Sequence, residues 1–211
     1  MSTTLARLKD GYTKGARGAA TRLMGGMTDS WITPNKLTAA GVSLCLASAV
    51  LVWFEKDGEL LFFWTGAVVF IVGSILDILD GALARATGRS TPFGAFVDST
   101  TDRVGEAAML AAIGLVFARD GNEVALAFAF GAVAGSFLVS YARARAEALG
   151  LKGDVGLSSR AERVVIISTG LILAPWGVLP WAIYVLTASA WITVLQRILA
   201  VRAQLRRAAG E

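Results

Sequence analysis

The sequence contains no histidine and a single cysteine, Cys45. The first absence removes the side chain that most often serves as acid, base and metal ligand near neutral pH. Any catalysis must then rest on carboxylates, hydroxyls, Lys or Arg. The second absence excludes an intramolecular disulfide, and Cys45 sits in an apolar run where a small buried hydrophobe is expected. Charge is also scarce, with Asp, Glu, Lys and Arg making up 17% of the 211 residues, whereas 55% are hydrophobic. The apolar residues are gathered into long runs. A run of about 20 such residues matches the thickness of a bilayer, and six of them with short loops occupy nearly the whole chain. A separate soluble domain has no room.

The expected fold is therefore an all-α membrane protein, with six transmembrane helices in one domain covering 1–211 and a bundle over 35–200. The spans are placed at Asn35–Phe54, Leu60–Arg85, Phe93–Phe117, Glu123–Arg143 (continuing as helix toward Leu149), Val164–Leu173 and Leu179–Leu199. Ahead of them, Leu5, Leu8, Tyr12, Leu23 and Met27 recur at roughly helical spacing among Arg7, Lys9, Lys14, Arg17 and Arg22. That pattern lacks the long apolar core of a signal peptide and suggests an amphipathic helix over 1–30 lying on an anionic membrane surface.

Lys and Arg concentrate on the cytoplasmic side of membrane proteins. Here they gather in the N-terminal segment, at Arg85 and Arg89, between Arg143 and Arg163, and at Arg202, Arg206 and Arg207. The alternate connections are acidic, mixed or uncharged. Every second connection is thus basic, which fits six spans with both termini in the cytoplasm of a multi-pass cell-membrane protein.

Four carboxylates interrupt this apolar pattern. Asp77 and Asp80 lie near the end of the second span, and Asp98 and Asp102 lie one to two turns into the third. At 1.5 Å per residue, Asp77 stands roughly 25 Å beyond Leu60 in a hydrocarbon core about 30 Å thick, close to the cytoplasmic boundary. Separations of three and four residues put each pair on one helix face. Two antiparallel helices with a short turn through Gly88, Ser90 and Pro92 then bring four anions together. At a dry membrane edge they repel strongly unless a cation neutralises them. An all-oxygen set suits Mg²⁺ or Mn²⁺, and four carboxylates are enough for two ions.

In full, the segment reads Asp77-x-x-Asp80-Gly81-x-x-Ala84-Arg85, eight residues, then Gly94-x-x-x-Asp98-x-x-x-Asp102. It resembles the signature of the CDP-alcohol phosphotransferase family at every fixed position. Gly81 and Ala84 are small enough to admit a diphosphate close to the backbone, and Arg85 can offer it a fork of donors. The resemblance implies that Asp77, Asp80 and Asp98 hold a first divalent ion and that Asp77, Asp98 and Asp102 hold a second. It also implies that Gly81, Ala84, Arg85 and Thr91, with Asn35 and Lys36, contact the head of CDP-diacylglycerol. Asp102 would be the general base that frees an acceptor hydroxyl to attack the β-phosphorus and release CMP. The resemblance further implies a homodimer among membrane lipids, with the active site on the cytoplasmic side. No nucleic-acid partner is expected.

The acceptor is read from a second region. Ser140 to Glu147 and Arg160-Ala161-Glu162-Arg163, with Gln196-Arg197, resemble the branch of the family that uses inositol 1-phosphate. Arg143, Arg145, Arg160, Arg163 and Arg197 together carry more positive charge than a neutral alcohol needs, and suit a clamp for a phosphorylated one. Topology alone also places arginines here. Asn35 and Ala161 depart from the inositol pattern, which commonly has Asp and Pro at those positions, and Arg143 stands where a Lys is found. Glycerol 3-phosphate remains the alternative acceptor, since Ser90 to Asp98 also resembles the phosphatidylglycerophosphate branch. A di-inositol-phosphate-type synthase using CDP-inositol is a third option. A cation-coupled transporter also places carboxylates inside a membrane, but near its midplane and between internal repeats, which this chain lacks.

Overall fold

The computed structural model describes residues 33–88 and 90–209, so the expected amphipathic helix over 1–30 lies outside the described residues. Among these residues there are six α-helices and no strand: α1 Pro34–Trp53, α2 Glu59–Ala86, α3 Pro92–Arg119, α4 Glu123–Ala148, α5 Arg160–Ile172 and α6 Leu179–Ala209. Short 3₁₀ turns, Glu55–Asp57 and Ala174–Trp176, precede α2 and α6.

Four helices, α1, α2, α4 and α6, are long and apolar enough to cross a membrane. Only 33–39% of each apolar window is buried inside the protein. The rest presents side chains such as Val50, Leu61, Val68, Phe130, Trp181 and Leu195 outward, a surface that an aqueous protein of this size does not sustain. Two helices fall short of the six expected spans for separate reasons. α3 carries Asp98, Asp102, Arg103 and Glu106 in its first half, so its purely apolar stretch begins only after Glu106. α5 has 13 residues, about 20 Å of helix against a core of about 30 Å. The last helix, by contrast, runs ten residues past the expected end at Leu199 and carries Arg202, Arg206 and Arg207 within it.

The described residues form two compact units. The first comprises 33–44 and 72–104, that is, the start of α1, the end of α2 and the start of α3. Leu37 and Leu83 are buried there, with Leu76 and Leu79 packed against them. α1 and α2 approach closely because glycine faces glycine. A Cβ on Gly41 would lie 3.0 Å from the Gly73 carbonyl oxygen and 3.6 Å from Asp77 Cβ.

The second unit comprises 45–71 and 105–209. Its interior is apolar, with Met109, Ile113, Ile167, Leu171, Ile183 and Leu186 all essentially inaccessible. α4 and α6 lie side by side. Thr187 donates to the Phe128 carbonyl at 2.9 Å, Trp191 Nε1 donates to the Gly131 carbonyl at 3.1 Å, and a Cβ on Gly135 would touch Ala190 Cβ at 3.0 Å. α5 starts at Arg160 after a capping box formed by Ser159 and Glu162, four residues earlier than expected from its apolar run. One buried ion pair joins α3 to α5: Arg163 Nε donates to Glu106 Oε1 at 2.6 Å and Arg163 Nη2 to Glu106 Oε2 at 2.8 Å.

Removing one partner of such a pair strands the other charge in a dry interior. Glu106→Ala is therefore expected to destabilise the protein by about 3–5 kcal/mol. The lowered midpoint should be visible in thermal unfolding of detergent-solubilised protein, and Glu106→Gln should restore part of the loss.

Candidate active site

The first unit gathers the carboxylates. α2 ends and α3 begins within a few residues of each other, and the turn between them is fixed by side chains on both sides. Thr87 Oγ1 donates to the Leu83 carbonyl at 2.8 Å, closing α2, and Gly88 takes a left-handed φ of 65°. Thr91 then caps α3: its Oγ1 accepts from Gly94 N–H at 3.0 Å, and Pro92 follows as the first helical residue. Antiparallel helices joined in this way place the end of α2 beside the first turns of α3.

Asp77, Asp98 and Asp102 converge. Each offers a carboxylate oxygen within 4.8 Å of the others, and all three side chains are half-buried. Oxygens bound to one octahedral Mg²⁺ lie about 3.0–4.2 Å apart, given metal–oxygen distances of about 2.1 Å. The cluster thus needs only a slight contraction to hold an ion. Asp98 Oδ1 is buried and accepts no hydrogen bond, as expected of an oxygen shaped to meet a cation. The residues present fit a divalent metal.

Asp80 departs from the expectation of one cluster of four. It is 2% exposed, points toward α1 and receives a short hydrogen bond from Thr38 Oγ1. Its second oxygen, Oδ1, is buried without a hydrogen-bond partner. Thr38 is a site residue that the sequence reading missed. Its signal was a hydroxyl in an apolar helix, one turn beyond Asn35 and so on the same face.

Asp80 and Asp98 also line a small cavity of about 100 Å³. Asn35, Gly81, Ala84, Arg85 and Thr91, all expected at the CDP-lipid head, contribute to its wall together with Pro34, Thr38, Ser90, Gly94 and Ala95. Gly81 matters for its size, since a Cβ there would come within 3.3 Å of Arg85 Nη1. Lys36 is exposed and is not among the lining residues.

The five arginines expected around the acceptor all lie in the second unit. Arg197 is near enough to Arg143 and Arg163 to be repelled by both, and Arg163 acts likewise on Arg160. They are not equally open. Arg143 and Arg145 are exposed, with Arg143 paired to Glu147 at 2.8 Å, and Arg160 is half-buried. Arg163 is 3% exposed, and its nitrogens are engaged by Glu106 and by the Ser158 carbonyl at 3.3 Å. Arg197 is 5% exposed and donates to the carbonyls of Val155, at 2.9 Å, and Val139. The exposed Arg143 thus holds Glu147, and the two buried guanidiniums already hold protein groups, because a buried cation needs partners of its own. Those partners, Glu106 and two backbone carbonyls, are far away in sequence.

The profile of the CDP-alcohol phosphatidyltransferase family matches residues 31–201. The chain belongs to that family. It is an enzyme, a transferase, and its apolar helices make it a multi-pass membrane protein. The chain is 40% identical to a phosphatidylinositol phosphate synthase of Mycolicibacterium smegmatis over 179 residues, covering 81% of this chain and 78% of the relative. It is 36% identical to an archaetidylinositol phosphate synthase of Pyrococcus horikoshii over 176 residues, covering 82% and 86%. Among solved structures, the phosphatidylinositol phosphate synthase of Mycobacterium tuberculosis is similar both with CDP-DAG bound and in complex with manganese and citrate. The first has a TM-score of 0.75 at 30% identity, covering 86% of this chain and 92% of that one. The second has a TM-score of 0.75 at 32% identity, covering 86% and 88%.

The geometry of the carboxylates makes Asp98 a member of both the metal cluster and the cavity wall. Asp98→Asn is expected to weaken Mn²⁺ binding by more than the ~10-fold that loss of an outer-shell partner alone can cause. A Mn²⁺ titration followed by electron paramagnetic resonance checks this.

Proposed function

We propose that the enzyme transfers the phosphatidyl group of CDP-diacylglycerol to inositol 1-phosphate, giving phosphatidylinositol phosphate and CMP. The observation that carries this reading is the convergence of Asp77, Asp98 and Asp102 beside the cavity walled by Gly81 and Arg85. The names of the relatives, all of them inositol phosphate-using synthases in those cited, favour this acceptor over glycerol 3-phosphate.

Asp77, Asp80 and Asp98 would hold one divalent ion, and Asp77, Asp98 and Asp102 a second. Bound Mg²⁺ or Mn²⁺ supplies charge that neutralises the diphosphate and steadies the CMP leaving group. The chain's own residues do the rest. Gly81 and Ala84 leave space for the diphosphate, while Arg85, Asn35, Lys36 and Thr91 orient the nucleotide end. Thr38 holds Asp80 in place. Asp102 takes the proton of the acceptor hydroxyl. The freed oxygen attacks the β-phosphorus, and the bond from that phosphorus to the CMP oxygen breaks. A carboxylate base is consistent with a chain that has no histidine.

Arg143, Arg145, Arg160, Arg163 and Arg197 form the acceptor clamp in this reading. Even with Glu106 and Glu147 paired to two of them, five guanidiniums leave an excess of positive charge for an anion. The exposed or half-buried members, Arg143, Arg145 and Arg160, would meet the phosphate, while Arg163 and Arg197 add field from behind.

The same reading treats 1–211 as one domain, because the family profile runs across both compact units. It gives six spans, with α3 and α5 as the two beyond the four long apolar helices. The basic connections support a topology with both termini and the carboxylates on the cytoplasmic side. The family resemblance adds a homodimer.

In a CMP-release assay with CDP-diacylglycerol and Mn²⁺, inositol 1-phosphate should support turnover, while glycerol 3-phosphate, free inositol and serine should not. Asp102→Asn should abolish release. If glycerol 3-phosphate is the better acceptor, the branch is wrong although the chemistry stands. Separately, Arg160→Gln should raise the acceptor KM about tenfold or more, with little change in the KM for CDP-diacylglycerol.

A further inference from the structure

The connector between α4 and α5 is laced along the last helix. Three side chains of α6 hold it in antiparallel order. Gln204 exchanges two hydrogen bonds with Lys152, accepting from its N–H at 3.0 Å and donating to its carbonyl at 2.9 Å. Arg197 Nε donates to the Val155 carbonyl at 2.9 Å. Thr193 Oγ1 accepts from Leu157 N–H at 3.2 Å and from Ser158 N–H at 2.9 Å, and donates to the Ser189 carbonyl at 2.8 Å.

Spacing shows why this lacing works. Residues 193, 197 and 204 fall within about 40° of one another around a helix, so they form a single stripe. Eleven residues of helix span about 16 Å, and six residues of nearly extended chain span about 20 Å. Bound at both ends, the connector has little slack. Gly156 closes the fit, with a φ of 129° and a position where a Cβ would lie 2.3 Å from Thr193 Cγ2. Thr193 itself is 0% exposed.

What the connector delivers is the first turn of α5. Immediately after Ser158 comes the Ser159 cap, then Arg160, with Arg163 donating back to the Ser158 carbonyl. We infer that Thr193 is a positioning residue for acceptor recognition, setting the place of Arg160 and Arg163 through the strap over 152–158. This rests on the reading of the arginine cluster as the acceptor clamp. Thr193 has no chemistry of its own in the reaction. Its hydroxyl replaces the two N–H partners that a regular helix or strand would supply, and so fixes an irregular segment in one place.

The test compares Thr193→Val, Thr193→Ser and Gln204→Leu in the whole enzyme with CDP-diacylglycerol and inositol 1-phosphate. Valine keeps the shape of threonine but leaves the buried Ser158 N–H and the part-buried Leu157 N–H without an acceptor, so the acceptor KM should rise about tenfold. The kcat and the KM for CDP-diacylglycerol should stay within about twofold, well under the factor of ten that 1.4 kcal/mol gives. Amide hydrogen exchange at Leu157 and Ser158 should accelerate, and serine should restore both properties. Gln204→Leu, at the half-buried end of the stripe, should give a smaller rise and covers the case in which the valine variant fails to fold. The inference is overturned if exchange accelerates while the acceptor KM is unmoved, or if both substrates' KM values rise together. Arg160→Gln separates the two levels. If it raises the acceptor KM and Thr193→Val does not, the strap inference alone fails; if neither variant moves that KM, the clamp reading fails and takes the inference with it.

Discussion

An ionised carboxylate in a dry, apolar setting is costly, and several at close range cost more than their sum unless opposite charge is present. The second and third helices nevertheless bring Asp77, Asp98 and Asp102 within reach of one another, with Asp80 buried close by. A divalent cation resolves the conflict, and the surrounding features follow from it. The Thr91 cap and the Pro92 start fix where α3 begins, and so which turn of it meets α2. Gly41 against Gly73 lets α1 approach near enough for Thr38 to bond Asp80. The small residues of the signature, Gly81 and Ala84, line the cavity beside Asp80 and Asp98, where the proposed reaction would seat a diphosphate.

The second unit solves the opposite problem. It carries an excess of arginine, and its structure sorts these cations into buried ones and ones nearer solvent. Arg163 and Arg197 are neutralised or solvated from within, by Glu106 and by carbonyl oxygens. Arg143 and Arg145 are not buried. An enzyme that joins a lipid diphosphate to a phosphorylated alcohol must handle two highly charged anions at once. Metal ions on carboxylates suit the first, and a clamp of guanidiniums suits the second.

Much of this was legible in the sequence, because both helix period and the signature are local properties. The ends of α1, α2 and α3 fall within one or two residues of their expected positions, and the turn residues Gly88 and Pro92 mark the junction of the last two directly. The spacing of Asp98 and Asp102, and that of Asp77 and Asp80, placed each pair on one face, but the hydrogen bond that Thr38 gives Asp80 was not legible, being a contact across 42 positions that no local pattern encodes. For the same reason, the engagement of Arg163 by Glu106 and of Arg197 by Val155 could not be read in advance, and five arginines that looked equivalent are not. α6 ran on past Leu199 because Arg202, Arg206 and Arg207 are good helix formers, although they end the apolar stretch. Composition marks the end of a membrane span. It does not mark the end of a helix.

The claim on which the account turns is that the carboxylates at the α2–α3 turn are held together by divalent metal. Anomalous diffraction from crystals grown with Mn²⁺, recorded near the manganese edge, tests this most directly. The account requires a peak about 2.2 Å from carboxylate oxygens of Asp77, Asp98 and Asp102. Ordered aspartates with no peak among them, at Mn²⁺ concentrations that support turnover, would contradict it.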